Sequence, residues 1–435
     1  MVKALRARDI STGCALKIGV ATAAVMLSAG TASAGGFAPH EQSAYFMGSA
    51  FAGSAAGGAL SSMFWNPAAL GQFDGINSDS SYSLIMPDTV ITATGGPLAG
   101  LPTSNSSGDI GDTAILPASY FSYQLNDKIV LGMGVNAPFG LTTDGKYDWD
   151  GSPLARESKI TTYNFTPTVS YRVAPGVLVG AGLQVQYIDA QLRQAFNPNP
   201  LAPNPLAPTS AIKGDDFGFG FTAGILLSPA NGTSIGLGYR SKIEHDLEGT
   251  FHVSGIPAKD AISADIELPE IVTLSLRQEL TPTWTLLGTV EWTNWSRLPQ
   301  LQVNCDAAGA FCPGPVPLAT LPLGWDDGWF FSAGLEHAYS EQLTLRGGVA
   351  YEISPIDTAE GRTIRVPDAD RVWLTAGASY QYNENTTVDV SYAHVFVDDS
   401  TTVQAGGALV GDVESSADII SVGVRSKLDW LLGGH

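Results

Sequence analysis

The spacing of turns and loops constrains this chain more than any other feature of its sequence. From about residue 76 to 428, short strand-like runs are joined alternately by tight turns and by long loops. Six tight turns and seven long loops make thirteen connections, which join fourteen strands. An even number of strands between two unlike rims is typical of a closed barrel, the form in which β-structure crosses a membrane. The spacing therefore predicts an all-β fold, a 14-stranded antiparallel transmembrane β-barrel. The tight turns lie at 126–127, 174–176, 229–232, 281–282, 340–341 and 383–385, and the loops lie near 88–112, 140–158, 194–214, 248–267, 299–324, 355–369 and 399–415.

The individual runs alternate between apolar and polar residues, as expected for a wall with one apolar and one wet face. In the run 284–293, Trp284 and Leu286 fall on one side, whereas Thr285 and Glu291 fall on the other. The runs 217–227, 343–351 and 388–396 show the same period. A soluble sandwich would alternate in the same way, so this pattern alone does not decide between the two.

The N-terminus indicates the compartment. Four basic residues precede or flank an apolar run, 18–29, that is too short to span a bilayer and is followed by Ala32-Ser33-Ala34. This pattern predicts a signal peptide, residues 1–34, that is cleaved before Gly35. A signal peptide together with a barrel predicts the bacterial cell outer membrane.

Charge and cysteine content narrow the possible partners. Without residues 1–34, 18 basic and 41 acidic residues remain, and such an acidic surface would repel nucleic acid. The acidic residues are too sparse for a calcium loop, so we assign no metal and no cofactor. Beyond the signal peptide the only cysteines are Cys305 and Cys312, which share one loop and are expected to form a disulfide in an oxidising compartment.

Residues 35–75 do not show the regular spacing of turns and loops that is found from residue 76 onward. Of these 41 residues, 22 are Gly, Ala or Ser, and aromatic residues are scattered among them. A barrel of fourteen strands is too wide to be filled by its own side chains alone. We therefore predict that residues 35–75 form an N-terminal plug (hatch) in the lumen, that residues 76–430 form the barrel, and that residues 431–435 form a tail.

Several segments, which run in order through nearly the whole mature chain, match those of a known protein family. They are 35–37, Asn66-Pro67-Ala68, 137–141, 162–165, 187–190, 239–242, 268–270, 292–296 and 364–371. In these segments the sequence resembles the FadL family of outer-membrane transporters for long-chain fatty acids and other hydrophobic compounds.

The resemblance implies a passive transporter that captures its ligand among the extracellular loops, passes it to a lumenal site and releases it sideways through the wall. In this sequence, Pro138 and Gly140 interrupt the third strand, because proline cannot donate to a ladder and glycine permits a kink. We expect the gate to comprise Pro138, Phe139 and Gly140, with a gap between strands three and four. The alternative is that Pro138 merely ends a strand. Asn66, Pro67 and Ala68 are expected to face the gap from the plug.

A ligand site in the lumen is expected from the family match and from strand register. The resemblance to the FadL family assigns Phe37 to this site. Arg193 lies one position out of register from an arginine that fatty-acid-binding members of the family carry. Strand register turns Arg240, Arg277 and Arg346 inward, although such charges also pair across a polar lumen. Where members of the family have a lysine, this sequence has the acidic residue Asp326. Because a basic group is then missing for a fatty-acid carboxylate, uncharged aromatic or aliphatic hydrocarbons are an alternative to fatty acids.

Apolar residues in the long loops are candidates for the surface groove, because exposed apolar side chains otherwise require an explanation. Two competing classes are an outer-membrane lipid hydrolase and an unspecific porin, but no histidine is placed to complete a catalytic triad. We expect contacts with lipid, lipopolysaccharide and the barrel-assembly machinery, and a monomer. The groove candidates are Leu201, Leu206, Leu318 and Leu321.

Overall fold

The computed structural model describes residues 35–197 and 204–429. The predicted signal peptide, the groove candidate Leu201 and the C-terminal tail lie outside these residues. Within them, no helix is long and apolar enough to cross a membrane.

The strands form one closed antiparallel sheet. Its last strand pairs with its first over the full length, from Asn77 opposite Lys427 to Gly95 opposite Val410. Several barrel strands are each divided into two consecutive segments, so that the 21 hydrogen-bonded segments make up fourteen barrel strands. This number confirms the predicted 14-stranded barrel. The segments are β1 (Ile76–Gly95), β2 (Ser106–Asp109), β3 (Ala114–Asn126), β4 (Ile129–Asn136), β5 (Gly140–Asp144), β6 (Glu157–Ala174), β7 (Val177–Ala195), β8 (Thr209–Ala230), β9 (Thr233–Arg240), β10 (Ile243–Val253), β11 (Lys259–Leu268), β12 (Ile271–Thr281), β13 (Trp284–Thr293), β14 (Gln300–Cys305), β15 (Pro317–Pro322), β16 (Gly328–Ala338), β17 (Leu343–Ile353), β18 (Arg371–Asn383), β19 (Thr386–Val397), β20 (Ser400–Gln404) and β21 (Leu409–Lys427).

Sequence alternation sets the two faces of the wall. Phe217, Phe219 and Phe221 of β8 are 62%, 66% and 53% exposed on the outside of the barrel. Thr285 and Glu291 of β13 point inward and are buried. Because side chains alternate along a strand, a continuous apolar exterior surrounds a polar interior.

The six tight turns lie at the predicted positions, whereas several predicted loops contain strands. The predicted loop 248–267 is largely a β10–β11 hairpin that continues the wall. The predicted loop 299–324 contains the β14–β15 hairpin, and 399–415 contains β20 and the start of β21. These predictions were wrong because polar alternation persists beyond the apolar band, so the strands extend past it.

Residues 35–75 pack against inward-facing residues of the wall. Helix α1 (Ala44–Met47) begins after Ser43, whose hydroxyl accepts the amide hydrogen of Phe46. A Cβ on Gly236 or Gly238 of β9 would overlap a plug carbonyl oxygen, so these glycines let the two backbones touch. The segment also contains short 3₁₀ helices at Ser54–Ala56, Leu60–Phe64 and Pro67–Gln72, and another lies after β13 at Trp295–Arg297.

Candidate functional site

The third barrel strand is broken where the sequence predicts an interruption. Segment β4 ends at Asn136 and β5 begins at Gly140. Segment β4 pairs with both of its neighbours, whereas β5 pairs only with β6. Within the described part of the chain, no ladder pair joins strands two and three between Ser119 opposite Val135 and the bridge from Gly111 to Thr143.

The gap therefore lies between strands two and three, and the prediction that it lies between strands three and four was wrong. The fourth strand remains hydrogen-bonded to the third strand across the break. The hydroxyl of Thr162 in β6 donates to Phe139 O (2.6 Å) and accepts from Phe139 N (3.1 Å). This hydroxyl replaces the ladder bonds that a straight strand would make, so only the other edge opens.

Residues 35–42, which we call the latch, cover this break from inside the barrel. Gly140 N donates to Phe37 O (2.8 Å), and the Gln42 side-chain amide donates to Ala137 O (2.9 Å). The hydroxyl of Tyr120 in β3 donates to Gln42 O (3.0 Å). The latch is thus hydrogen-bonded to both edges of the gap.

An aromatic cluster surrounds the ring of Phe37. Its centroid lies 4.7 Å from that of Trp295, 6.0 Å from that of Trp325 and 6.2 Å from that of Phe139. All four side chains are buried. Phe37, the first aromatic residue of the described chain, therefore packs directly against the middle of the strand break.

A buried charged cluster lies beside the aromatic one. His40 Nε2 is 3.3 Å from Glu352 Oε1, and His40 Nδ1 is 3.5 Å from Glu291 Oε1. Arg371 pairs with Asp368 and lies 3.6 Å from Glu352. A cavity of about 20 Å³ adjoins this cluster and Pro138, which is room for about one water molecule.

Asn66, Pro67 and Ala68 lie elsewhere, so the prediction that they face the gap was wrong. The Asn66 amide donates to Ala55 O (2.8 Å) and to Ile225 O of β8 (3.0 Å). Ala68 O accepts from the Ser170 hydroxyl of β6 (3.0 Å). The tripeptide is therefore fastened to strands four and six rather than to the gap between strands two and three.

The four arginines predicted as carboxylate anchors are each held by other groups. Arg277 and Arg346 both pair with Glu336, at 2.6 and 2.7 Å. Arg240 donates to Phe64 O (3.0 Å) and to the Gln184 side chain, and its guanidinium lies 4.2 Å from the Phe64 ring centroid.

The remaining candidate, Arg193 of β7, pairs with Glu157 at 2.6 Å. Its side chain is 38% exposed, and none of the described contacts of Phe37 involves it. The other three arginines lie in internal networks.

An apolar groove of about 600 Å³ opens among the long loops. Leu318 and Leu321 line it, whereas Leu206 is 66% exposed and lies outside the lining. A second apolar pocket of about 50 Å³ shares Ile212 and Val303 with the groove. Sequence reasoning missed the strand residues that line the groove, although continued alternation beyond the predicted loop boundaries carried the signal. They include Leu192, Ile212, Phe251, Leu301 and Val303.

One buried apolar cluster connects this groove to the strand break. It contains Phe251 near the groove and Phe37, Phe139 and Trp295 at the latch, and Leu318 and Leu321 pack against it. The barrel thus has apolar packing from its loop rim to the gap.

Two charged residues beyond the membrane-spanning wall, Arg365 in the groove lining and Asp260 at the start of β11, are held by hydrogen bonds. The Arg365 guanidinium donates to Leu154 O (2.7 Å) and to the Gln194 side chain (2.8 Å), and burial lowers the pKa of Arg365 to about 10. The Asp260 carboxylate accepts from the amides of Phe311 (2.6 Å), Cys312 (2.7 Å) and Ala310 (2.9 Å), which hold the pKa of Asp260 below its usual range. Cys312 is joined to Cys305 by a disulfide.

Comparison with known proteins agrees with this architecture. The Long-chain fatty acid transport protein of Escherichia coli O6:H1 is 27% identical over 87% of this chain and 91% of its own length. A Pseudomonas aeruginosa FadL homologue has a TM-score of 0.79 at 22% identity, with 90% of this chain and 99% of that chain covered. The Ralstonia pickettii toluene transporter TbuX has a TM-score of 0.66 at 19% identity, with 89% and 98% covered.

The family model for Outer membrane protein transport protein (OMPP1/FadL/TodX) matches residues 25–428. This match extends from before the plug to the end of the last barrel strand. The chain is a β-barrel transport protein of the bacterial outer membrane and not an enzyme. It belongs to the OMPP1/FadL/TodX family.

Proposed function

We propose that this protein carries long-chain fatty acids or similar hydrophobic molecules passively across the polar surface of the outer membrane. Ligand enters the groove among the extracellular loops, moves along the apolar cluster and leaves sideways between strands two and three. The single observation that carries this proposal is the cluster that reaches from Leu318 and Leu321 to Phe37 and Phe139. A continuous apolar path avoids repeated transfer of apolar surface into water.

Lateral release requires the latch to leave the gap. Its described polar contacts with the break are the bonds of Phe37 O and of the Gln42 side chain, with Tyr120 holding Gln42 from the other edge. A ligand that displaces the Phe37 ring from its aromatic neighbours would pull on the Phe37 carbonyl. The ladder interruption at 137–139 then becomes an exit for an apolar molecule.

Uncharged hydrocarbons are the second candidate cargo. The inward-facing arginines Arg240, Arg277 and Arg346 are already engaged. The groups nearest the latch are rich in carboxylates, which disfavour a fatty-acid anion. The cited relative is named for long-chain fatty acids and the TbuX neighbour for toluene, so both classes occur among similar proteins.

Uptake measurements test the proposal and separate the two cargo classes. Cells lacking their own transporter would be supplied with this protein and given either a labelled long-chain fatty acid or a labelled long-chain alkane. Uptake of the fatty acid supports the first candidate, and uptake of the alkane alone supports the second. Uptake of neither, with the barrel folded in the outer membrane, overturns the transport proposal.

A pair of leucine variants tests the groove. Leu321→Asp places a carboxylate in the apolar lining and is expected to lower uptake at least about tenfold, because burying an unpaired charge is costly. Leu206→Asp is the matched control, since Leu206 is exposed and outside the lining. Equal uptake by the two variants would remove the groove from the pathway.

A further inference from the structure

The first two residues after the predicted cleavage site are held by a pair of buried carboxylates. Gly35 N donates to Glu352 Oε1 (2.8 Å), and Gly36 N donates to Asp368 Oδ2 (3.0 Å). Glu352 and Asp368 are 4% and 2% exposed. We call these two side chains the cradle.

The cradle fits glycine closely. A Cβ on Gly35 would overlap Glu352 Oε1. A Cβ on Gly36 would lie 2.8 Å from the Trp295 ring, and Gly36 has a φ of +64°, which favours glycine. The geometry therefore brings the nitrogen of residue 35 directly onto a carboxylate oxygen.

The surrounding charges are unbalanced. Four buried carboxylates interact with two guanidinium groups and one imidazole. Buried carboxylates are costly unless cations compensate them, so one more cation is favourable here. The carboxylates belong to Glu41, Glu291, Glu352 and Asp368, and the cations to Arg240, Arg371 and His40.

We propose that the cradle is the binding site for the α-ammonium group of the mature chain, created when the bond between Ala34 and Gly35 is hydrolysed. A secretory leader peptidase breaks the C–N bond, and water supplies the hydroxyl of the new Ala34 carboxyl group and a proton to the Gly35 nitrogen. Ionisation of the new carboxyl group releases a second proton, which the amine takes up. The nitrogen is thus a neutral amide in the precursor and an ammonium group facing Glu352 in the mature chain.

This ion pair seats the latch. Phe37 follows the ammonium group by two residues and accepts the hydrogen bond from Gly140 at the strand break. Maturation at Gly35 thus supplies the charge that holds the latch over the gap. The site is independent of which molecule the protein carries, so its test does not use transport.

The test is reductive methylation of the purified mature protein in detergent, with mass spectrometry of the N-terminal peptide. Lys128, exposed in a short turn, is the internal reference. Because only the unprotonated amine can attack formaldehyde, an ion-paired α-ammonium group should react at least about tenfold more slowly in the folded protein than in guanidinium. Lys128 should react at nearly equal rates in both states. An N-terminal amine that reacts equally fast in both states, or a mature chain that begins elsewhere than Gly35, would overturn the proposal.

Two variants assign the protection to the cradle. Glu352→Gln removes the carboxylate charge and should raise the labelling rate of the folded protein toward the unfolded rate. Glu336→Gln is the matched control, because Glu336 is an inward-facing carboxylate that pairs with Arg277 and Arg346 instead. Equal effects of the two substitutions would contradict the assignment. If Glu352→Gln does not fold, the wild-type comparison still decides.

Discussion

The plug contacts the barrel wall in two different ways. Residues 44–72, which we call the anchor segment, touch the wall backbone to backbone through glycines such as Gly236 and Gly238. The latch contacts the broken strand through a few hydrogen bonds and the Phe37 ring. The close packing of the anchor segment cannot be loosened in part, because the interior has no room for small shifts. The few hydrogen bonds of the latch can break at a modest cost in free energy. This difference assigns stability to the anchor segment and motion to the latch.

The largest effect is expected where the anchor segment meets the wall. Gly238→Ala places a methyl group against Trp65 O and should destabilise the barrel by about 3 kcal/mol, as overpacking does. The unfolding midpoint in urea, measured in lipid vesicles, gives the change.

The matched control is Gly347→Ala, whose Cβ would lie 3.8 Å from Thr375 O. This variant should change the free energy of unfolding by less than about 0.5 kcal/mol. If the two glycine variants were equally stable, the anchor segment would not be held by close packing.

The Gln42 contact between the latch and the third strand should give a local effect. Gln42→Ala removes the donor to Ala137 O, which costs about 1–3 kcal/mol at the latch. Hydrogen exchange of the Gly140 amide should therefore accelerate roughly tenfold to a hundredfold, while global stability changes little. Gln124→Ala, which removes side-chain bonds to Asp74 and to the Gly75 amide, should leave this exchange unchanged. Faster exchange across the whole plug would show that latch and anchor segment open as one unit.

A smaller effect is expected from the other edge of the gap. Tyr120→Phe removes one hydrogen bond, to Gln42 O, and should weaken the latch by about 1 kcal/mol. The same exchange measurement should show an acceleration of about fivefold. An acceleration larger than that of Gln42→Ala would mean that β3, and not the third strand, holds the latch.

The smallest effect concerns the loop above the latch. The Phe311 amide, with those of Cys312 and Ala310, keeps the pKa of Asp260 below its ordinary value of about 3.9. A depressed carboxyl pKa contributes stability that is complete above the unfolded value and is lost as pH falls through the folded value.

Loop 306–316 should therefore become more accessible to an acid protease only below about pH 4, while exchange at Gly140 stays unchanged over the first part of that range. Asp260→Asn should show the loosened loop already at neutral pH. If acid released latch and loop together, the two regions would be coupled.

Much of the fold could be predicted because its signals are local. Strand geometry turns successive side chains to opposite faces, so alternation identified the lipid-facing Phe217 and the inward-facing Glu291 without knowledge of their neighbours. Turn chemistry located the short connections for the same reason. Pro138 marked the broken strand, because a missing backbone donor is a property of the residue itself.

The edge that opens and the segment that covers it depended on contacts between distant residues. Gln42 and Ala137 are 95 positions apart, and no local pattern pairs them. The gap lies toward strand two and not toward strand four, because the Thr162 hydroxyl of strand four hydrogen-bonds to Phe139 in the break. The position of Asn66 depended on glycines in strands far along the chain that admit the plug backbone.

The sequence by itself therefore determined a barrel of fourteen strands with one interrupted wall segment, because the two-residue period and the turn residues act over a few positions. Only the tertiary structure decided where the wall opens, what closes it and which loop residues form the groove. These outcomes follow from which backbones can approach one another and which buried polar groups find partners, and both are settled when distant parts of the chain meet.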